Sequence, residues 1–241
     1  MGLKPIATKN KTMTYILQIE TATTVCSVAL ARDGETLAVK QINERNIHAE
    51  VITVFVDGLL KEAGINYDHL DAVAVSSGPG SYTGLRIGVS TAKGLCFSLD
   101  KPLISVETLE AMACGAATEL TPADKDILLC PMIDARRMEV YTAFFNTVGK
   151  RVKPTTAEII EENSFSDLLN EHTILFFGDG AAKCQAVLGA NPNARFLTGF
   201  DNSAAYLTQK AFEKFKVQEF EDVAYFEPYY LKDFIAGKKA V

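Results

Sequence analysis

Histidine is scarce in this chain of 241 residues, which contains only His48, His69 and His172. A zinc site on a helix usually takes a second ligand four residues after the first. The residue four positions after His48 is Ile52, and the motif H-E-x-x-H does not occur. The sequence also lacks the G-x-S-x-G elbow of hydrolases and the G-x-x-x-x-G-K-[ST] loop of P-loop NTPases. These absences argue against a zinc protease and against two common catalytic classes.

Cysteine pairs and long apolar runs are also missing. The five cysteines are scattered without a C-x-x-C pair, which is typical of buried free thiols in a reducing compartment. No apolar run reaches the ~18 residues that span a membrane, and no signal-peptide pattern opens the chain. We therefore expect a cytoplasmic protein. The net charge of −6 argues against a main role in binding a nucleic-acid backbone, although another subunit could hold the nucleic acid.

A glycine-rich loop follows a predicted buried strand, Ala72–Ser76. Gly78 and Gly80 interrupt the strand, and Ser81 or Thr83 can cap the long helix that follows. A strand, a glycine loop and a helix N-terminus direct free backbone N–H groups to one point, so both glycines are candidate phosphate ligands. An ordinary strand-to-helix turn is the alternative.

The helix after this loop has two contrasting faces. Its apolar residues fall on one stripe, which is the expected core face. The opposite face carries small, weakly polar residues around one isoleucine, where a solvated helix would normally place charged residues. This face would admit a second helix at close range, or it is covered by its own chain. Its members are Ile87, Ser90, Thr91, Gly94 and Ser98.

The preceding helix, predicted over His48–Gly64, has an apolar arc that is wider than a surface helix needs. The excess apolar face predicts a patch for a partner subunit, and deep burial inside the chain is the alternative. The residues that we expect at this partner interface, from both helices, are Val51, Phe55, Leu59, Ile87, Thr91 and Gly94.

A polar turn, beginning with Glu20 and Thr21, ends the first predicted strand. An acidic residue with neighbouring hydroxyls can hold a metal-bound phosphate, so Glu20 and Thr21 are candidate nucleotide ligands. A plain polar turn between two strands is the alternative. Later in the chain, the loop Gly178–Gly180 follows an apolar strand and precedes a helix, so Gly178 and Gly180 form a second candidate ligand loop. An ordinary turn is again the alternative.

The element order predicts an α/β fold with mixed sheets in two lobes. Three strands open the chain, with an Asp33-Gly34 hairpin signal between the second and third, and strands alternate with helices afterwards. We expect a disordered lead over residues 1–12, a first lobe over 13–118 and a second lobe over 119–241. The aromatic tail Tyr225–Lys232 should pack back onto a lobe.

Several segments together resemble the TsaB (YeaZ) family of bacterial tRNA threonylcarbamoyladenosine biosynthesis proteins. The run Gly78–Arg86 is the most specific, and the resemblance extends from about Tyr15 to Lys232. The other matching segments are Ile16–Thr23, Cys26–Leu30, His48–Glu50, Ala92–Gly94, Asp134–Tyr141 and Pro228–Lys232.

The resemblance implies a two-lobed fold of the actin-like, Hsp70-like ATPase type, which is related to ribonuclease H. It also implies a platform subunit without catalysis of its own, which pairs through helices of the first lobe with a paralogue, TsaD. An ATPase, TsaE, joins them. TsaD would hold the metal and transfer a threonylcarbamoyl group to N6 of the adenosine next to the tRNA anticodon. This chain would meet tRNA only through the complex. Without a partner, we expect the helical patch of the first lobe to self-associate into an isologous homodimer.

Two other functions remain open at this stage. An ATP-binding, kinase-like enzyme would use Glu20, Thr21 and the two glycine loops, but the family usually carries Asp where this chain has Glu20. ATP or ADP could also bind only at the level of the complex. A metallopeptidase would fit the related name glycoprotease, yet no residue pattern supports peptide hydrolysis, and we expect no metal and no catalytic residue in this chain.

Overall fold

The computed structural model of the protein describes residues 13–121, 124 and 126–232. The predicted disordered lead, residues 1–12, lies outside the described residues. The elements that follow are built around two five-stranded sheets. Within the described residues no helix is long and apolar enough to cross a membrane.

The first sheet has the strand order β3-β2-β1-β4-β5. β1, β2 and β3 form an antiparallel meander, and β4 and β5 continue the sheet in parallel with β1. Asp33 and Gly34 form the tight turn between β2 and β3, and both have positive φ, as a two-residue hairpin turn requires. The strands are β1 (Tyr15–Glu20), β2 (Val25–Arg32), β3 (Glu35–Asn43), β4 (Ala72–Ser76) and β5 (Leu103–Val106).

The second sheet repeats this topology, with the order β10-β9-β6-β7-β8. Its first three strands are antiparallel neighbours, β9 runs parallel to β6, and β10 runs parallel to β9. The duplicated meander with parallel additions is the topology of the actin-like fold, so the predicted fold class is confirmed. The strands are β6 (Leu128–Asp134), β7 (Glu139–Asn146), β8 (Arg151–Ile159), β9 (Ile174–Phe177) and β10 (Ala194–Leu197).

Six α-helices lie against the two sheets in the described part of the chain. α1 and α2 cover one face of the first sheet, and α5 packs against the second. Two helices pack on the sheet of the other half of the chain: α3, which follows β5, packs on the second sheet, and α6, which follows β10, packs on the first. The helices are α1 (His48–Glu62), α2 (Tyr82–Leu99), α3 (Thr108–Ala117), α4 (Ser166–Glu171), α5 (Ala181–Leu188) and α6 (Thr208–Lys216).

The lobes are therefore joined by packing as well as by the chain. A polar contact adds to this: the Arg151 guanidinium of β8 and the Thr155 hydroxyl both bond the carboxylate of Glu107, which precedes α3. Because α3 packs on the second sheet and α6 packs on the first, the two sheets are held on either side of a cleft. The division at residue 119 remains a prediction.

Candidate functional site

A cleft of about 930 Å³ separates the two lobes. One wall is formed by the β1–β2 turn, which includes Thr23, and by the start of α2 at Ser81. Asp134, at the end of β6, belongs to the opposite wall, and Tyr230 of the tail closes one side. The walls thus include the β1–β2 turn of the first lobe and the β6–β7 turn of the second, which lie at corresponding places in the two sheets.

Glu20, a predicted ligand in this cleft, faces the interior of the first lobe. The residue is 1% exposed, and its Oε1 accepts hydrogen bonds from the Ala22 N–H at 2.6 Å and the Ser76 hydroxyl at 3.0 Å. Burial raises the pKa of Glu20 to about 7, although these hydrogen bonds oppose the shift. A carboxyl group that is enclosed and only partly ionised at neutral pH is poorly suited to hold a metal.

The first glycine loop is filled by the chain's own backbone. A Cβ at Gly80 would lie 2.5 Å from the carbonyl oxygen of Ala22, and one at Gly78 would lie 2.5 Å from that of Tyr229. Two N–H groups of the loop are also engaged: the Ser81 N–H donates to Ala22 O and the Gly78 N–H donates to the Thr108 hydroxyl. The glycines are needed here for close approach within the protein.

Thr21 packs against two further glycines at the start of α2. A Cβ at Gly84 would lie 2.1 Å from the Thr21 carbonyl oxygen, and one at Gly88 would lie 2.2 Å from the Thr21 hydroxyl oxygen. The buried Thr21 hydroxyl has no hydrogen-bond partner among the described residues. The β1–β2 turn therefore packs closely against α2, and the Thr21 side chain lies between the turn and the helix.

The second glycine loop is occupied in the same way. A Cβ at Gly178 would lie 2.4 Å from the carbonyl oxygen of Met132, and one at Gly180 would lie 2.9 Å from the carbonyl carbon of Ile133. The Gly180 N–H donates to Met132 O at 3.0 Å. The Gly180 N–H is therefore not free for a phosphate, and backbone atoms of β6 occupy the space beside both glycines.

These contacts do not fit a resident metal-bound phosphate. Several N–H groups of the two loops, including those of Gly78, Ser81 and Gly180, are used inside the fold, and the acidic candidate is enclosed. The described residues contain no group of three His, Cys, Asp or Glu side chains that could hold a metal ion. The assignment of Glu20, Thr21, Gly78, Gly80, Gly178 and Gly180 to nucleotide binding therefore stays a prediction without support from this geometry.

The α1–α2 pair carries the predicted partner interface. Gly94 is exposed, with nothing within 4 Å of a Cβ built on it, and the following turn carries Phe97, which is 85% exposed. On α1, Val54 is 63% exposed. A large aromatic side chain next to an open glycine is costly to leave in water and suits a close-packed partner helix.

The other predicted interface residues divide into two groups. Four are half-buried along the two helices, namely Val51, Phe55, Ile87 and Thr91. Leu59 is 0% exposed and lies in the first-lobe core, so its placement at the interface is corrected. Leu59 belongs to the side of α1 that packs on the sheet. When the apolar arc of a helix is wide, the sequence does not show which of its residues the sheet buries and which remain exposed. Phe97 was missed, because it was counted with neither face of α2.

The aromatic tail packs back on the first lobe, as predicted. The Tyr229 N–H donates to Ser77 O at 2.7 Å, and the Arg86 Nε–H donates to the Tyr230 hydroxyl at 3.2 Å. Lys93 of α2 donates to the carbonyl oxygen of Phe226 in the tail and to that of Ala224 just before it. The tail covers one flank of α2 and leaves the side that carries Gly94 open.

The fold and the cleft together define a protein of the actin-like class in which both glycine loops are closed by its own chain. Residues 42–233 match a sequence model described as TsaD, tRNA N6-adenosine threonylcarbamoyltransferase. A Haemophilus influenzae protein, named tRNA threonylcarbamoyladenosine biosynthesis protein TsaB, is 31% identical over 93% of this chain and 96% of its own length. The protein of that name from Escherichia coli is 41% identical over 53% of each chain.

A solved structure agrees with these sequence relatives. It is a Pseudomonas aeruginosa protein, described as uncharacterized with similarity to peptidase YEAZ, with a TM-score of 0.75 and 25% identity over 91% of this chain and 100% of its own. The chain belongs to the TsaB (YeaZ) family, and its resemblance to that family is confirmed.

Proposed function

We propose that this chain is a non-catalytic platform subunit in tRNA threonylcarbamoyladenosine biosynthesis. In this proposal it binds a TsaD paralogue through α1 and α2, and TsaD carries out the threonylcarbamoyl transfer to N6 of the adenosine next to the anticodon. The ATPase TsaE joins this pair. Membership of the TsaB family supports the pathway, and the match to the TsaD sequence model supports a paralogous partner.

The observation that carries the proposal is the exposed side of α1 and α2. Val54, Gly94 and Phe97 leave apolar and small side chains in water on two helices whose other faces are buried. A paralogue of the same fold would present two corresponding helices, and four helices could then pack as a bundle. Without that partner, the same surface would pair with a second copy in an isologous homodimer.

The cleft supports a platform role over a kinase-like enzyme. A kinase needs free N–H groups and an ionised carboxylate around the phosphates, whereas here Ala22 O accepts the Ser81 N–H, and Glu20 is enclosed with a raised pKa. Binding of ATP or ADP at the level of the assembled complex stays a prediction.

Sedimentation velocity with a substituted helix tests this proposal. Gly94→Arg puts a long charged side chain where a partner helix would approach, so binding to the TsaD paralogue and self-association should each weaken by at least about tenfold. Val148→Arg is the matched control, since Val148 is 84% exposed in the β7–β8 turn, and it should bind normally.

The result is decisive in both directions. Unchanged partner binding and unchanged self-association of Gly94→Arg would show that α1–α2 is the wrong surface. Calorimetry on the single chain separates the kinase-like alternative, because measurable heat with millimolar ATP in the absence of any partner would favour it over a platform.

A further inference from the structure

The cleft walls bring together two arginines that are distant in sequence and belong to different lobes. Arg45 follows β3 on the first lobe, and Arg136 lies in the β6–β7 turn of the second. Both are exposed and line the same cleft of about 930 Å³. Neither forms a salt bridge within the part of the chain that the structure describes.

The acidic residues of the same cleft do not neutralise them. Asp134 is paired with Lys183 of α5. Asp179 forms no salt bridge with either arginine among the described residues; its Oδ1 accepts the Asp134 N–H at 3.0 Å, and desolvation raises its pKa above the usual range. In a chain of net charge −6, the mouth of this cleft therefore keeps local positive charge.

Aromatic rings stand beside this charge. The rings of Tyr82 and Tyr230 are 5.0 Å apart, and the Arg86 guanidinium lies 4.3 Å from the centre of the Tyr82 ring. Tyr82 and Tyr230 line the same cleft as the two arginines. Cations that contact phosphates, next to rings on which unpaired bases stack, are the combination that binds single-stranded nucleic acid.

We infer that the mouth of this cleft, defined by Arg45, Arg136, Tyr82 and Tyr230, is a contact site for a single-stranded RNA segment such as a tRNA loop. The inference rests on the proposed function and extends it, because this chain then touches the RNA itself instead of meeting it only through its partner. The contribution is secondary: two arginines contact phosphates, and the partner supplies the rest of the binding surface.

The salt dependence of tRNA binding by the assembled complex tests the inference. The complex of this chain with its TsaD paralogue is titrated into labelled tRNA by fluorescence anisotropy at several salt concentrations. Arg45→Gln/Arg136→Gln should weaken binding on the order of tenfold at low salt and reduce the slope of log K against log [salt] by roughly 1.5, because each lost phosphate contact removes about 0.7–0.9.

A charge-matched control removes two cations at the other end of the molecule. Arg32 and Lys150 are exposed at the β2–β3 and β7–β8 turns, which lie at the opposite ends of their sheets from the cleft. Arg32→Gln/Lys150→Gln should leave both the affinity and the slope unchanged, since it lowers the net charge by the same amount without touching the cleft.

The possible outcomes separate this inference from the proposed function. If the Arg45→Gln/Arg136→Gln chain joins its partner normally but tRNA affinity and slope match wild type, the inference is overturned and the proposed function stands. Equal losses in both double variants also overturn it, because they indicate a general effect of charge. If these substitutions weaken only the binding of the partner protein, the cleft is a protein contact and not an RNA contact. Failure of wild type to bind the paralogue contradicts the proposed function instead.

Discussion

The carboxyl group of Glu20 connects burial in the first lobe to a measurable dependence on pH. Its folded-state pKa of about 7 lies above the ordinary value of 4.5 because of burial. Between these two values the folded protein binds a proton that the unfolded chain releases, so stability is lost as pH rises through this interval. Above neutral pH the enclosed carboxylate must be ionised at a cost in free energy.

Glu20→Gln should remove this dependence on pH. The amide oxygen can still accept from Ala22 N–H and the Ser76 hydroxyl, and no charge forms at high pH. We expect the unfolding free energy of the variant relative to wild type to rise between pH 5 and pH 8 by at most about 3 kcal/mol. Urea unfolding of both proteins at four pH values measures this, and a constant difference would contradict the buried, neutral Glu20.

Thr21 offers a test of the packing between the β1–β2 turn and α2. Its buried hydroxyl has no partner among the described residues, which costs free energy that an apolar group of the same shape avoids. Thr21→Val should therefore raise the unfolding free energy by about 1–2 kcal/mol. A loss of stability would show that the hydroxyl is bonded, for instance to water.

At the scale of the element, two glycines of α2 make a matched pair. Gly88 contacts the Thr21 side chain closely, whereas Gly94 faces open space. Gly88→Ala should destabilise the protein by about 1–3 kcal/mol because of overpacking. Gly94→Ala should stabilise it by up to about 1 kcal/mol through helix propensity. Thermal or urea unfolding of the two variants provides the comparison, and similar effects at both positions would contradict the close approach at Gly88.

Most elements could be predicted because their signals are local. The Asp33-Gly34 turn needs only two residues, and the Ser81 cap of α2 accepts the Gly84 N–H at 3.2 Å within one helical turn. β10 was missed, because Ala194–Leu197 is a half-exposed run of four residues that includes an arginine. Its strand conformation comes from pairing with β9, which a local pattern does not contain.

Contacts between distant elements explain the rest of what the sequence could not predict. The sequence correctly predicted two glycine loops that follow strands and precede helices. It did not predict that the carbonyl oxygens of Ala22 and Met132, from other segments, would pack against these glycines. In the same way, the apolar stripe of α1 did not distinguish Leu59, in the core, from Val54, in solvent. Direction and burial of a side chain depend on the tertiary neighbours.

At the scale of the whole molecule, two sheets of the same topology lie on either side of the cleft. The first sheet is covered by α1 and α2, which leave Val54 and Phe97 exposed, whereas the exchange of α3 and α6 fixes the lobes around the cleft. We therefore propose that protein binding occurs on one side of the first lobe and RNA contact at the mouth of the cleft.

A double substitution tests whether the exposed apolar residues contribute to assembly of the complex. Val54→Asp/Phe97→Asp should weaken binding to the TsaD paralogue by about 2–4 kcal/mol, since two apolar contacts are lost and two charges are desolvated. Val148→Asp/Val217→Asp changes two residues that are 84% and 72% exposed elsewhere and should bind as wild type. Equal affinity of both variants, measured by calorimetry, would contradict a role for these side chains.

Hydrogen–deuterium exchange with and without the TsaD paralogue locates the proposed contact on α1 and α2 without any substitution. We expect amides of α1 and α2 to exchange more slowly in the complex, while β8 and the β7–β8 turn are unaffected. Protection confined to the second lobe, with α1 and α2 unchanged, would contradict the proposed contact.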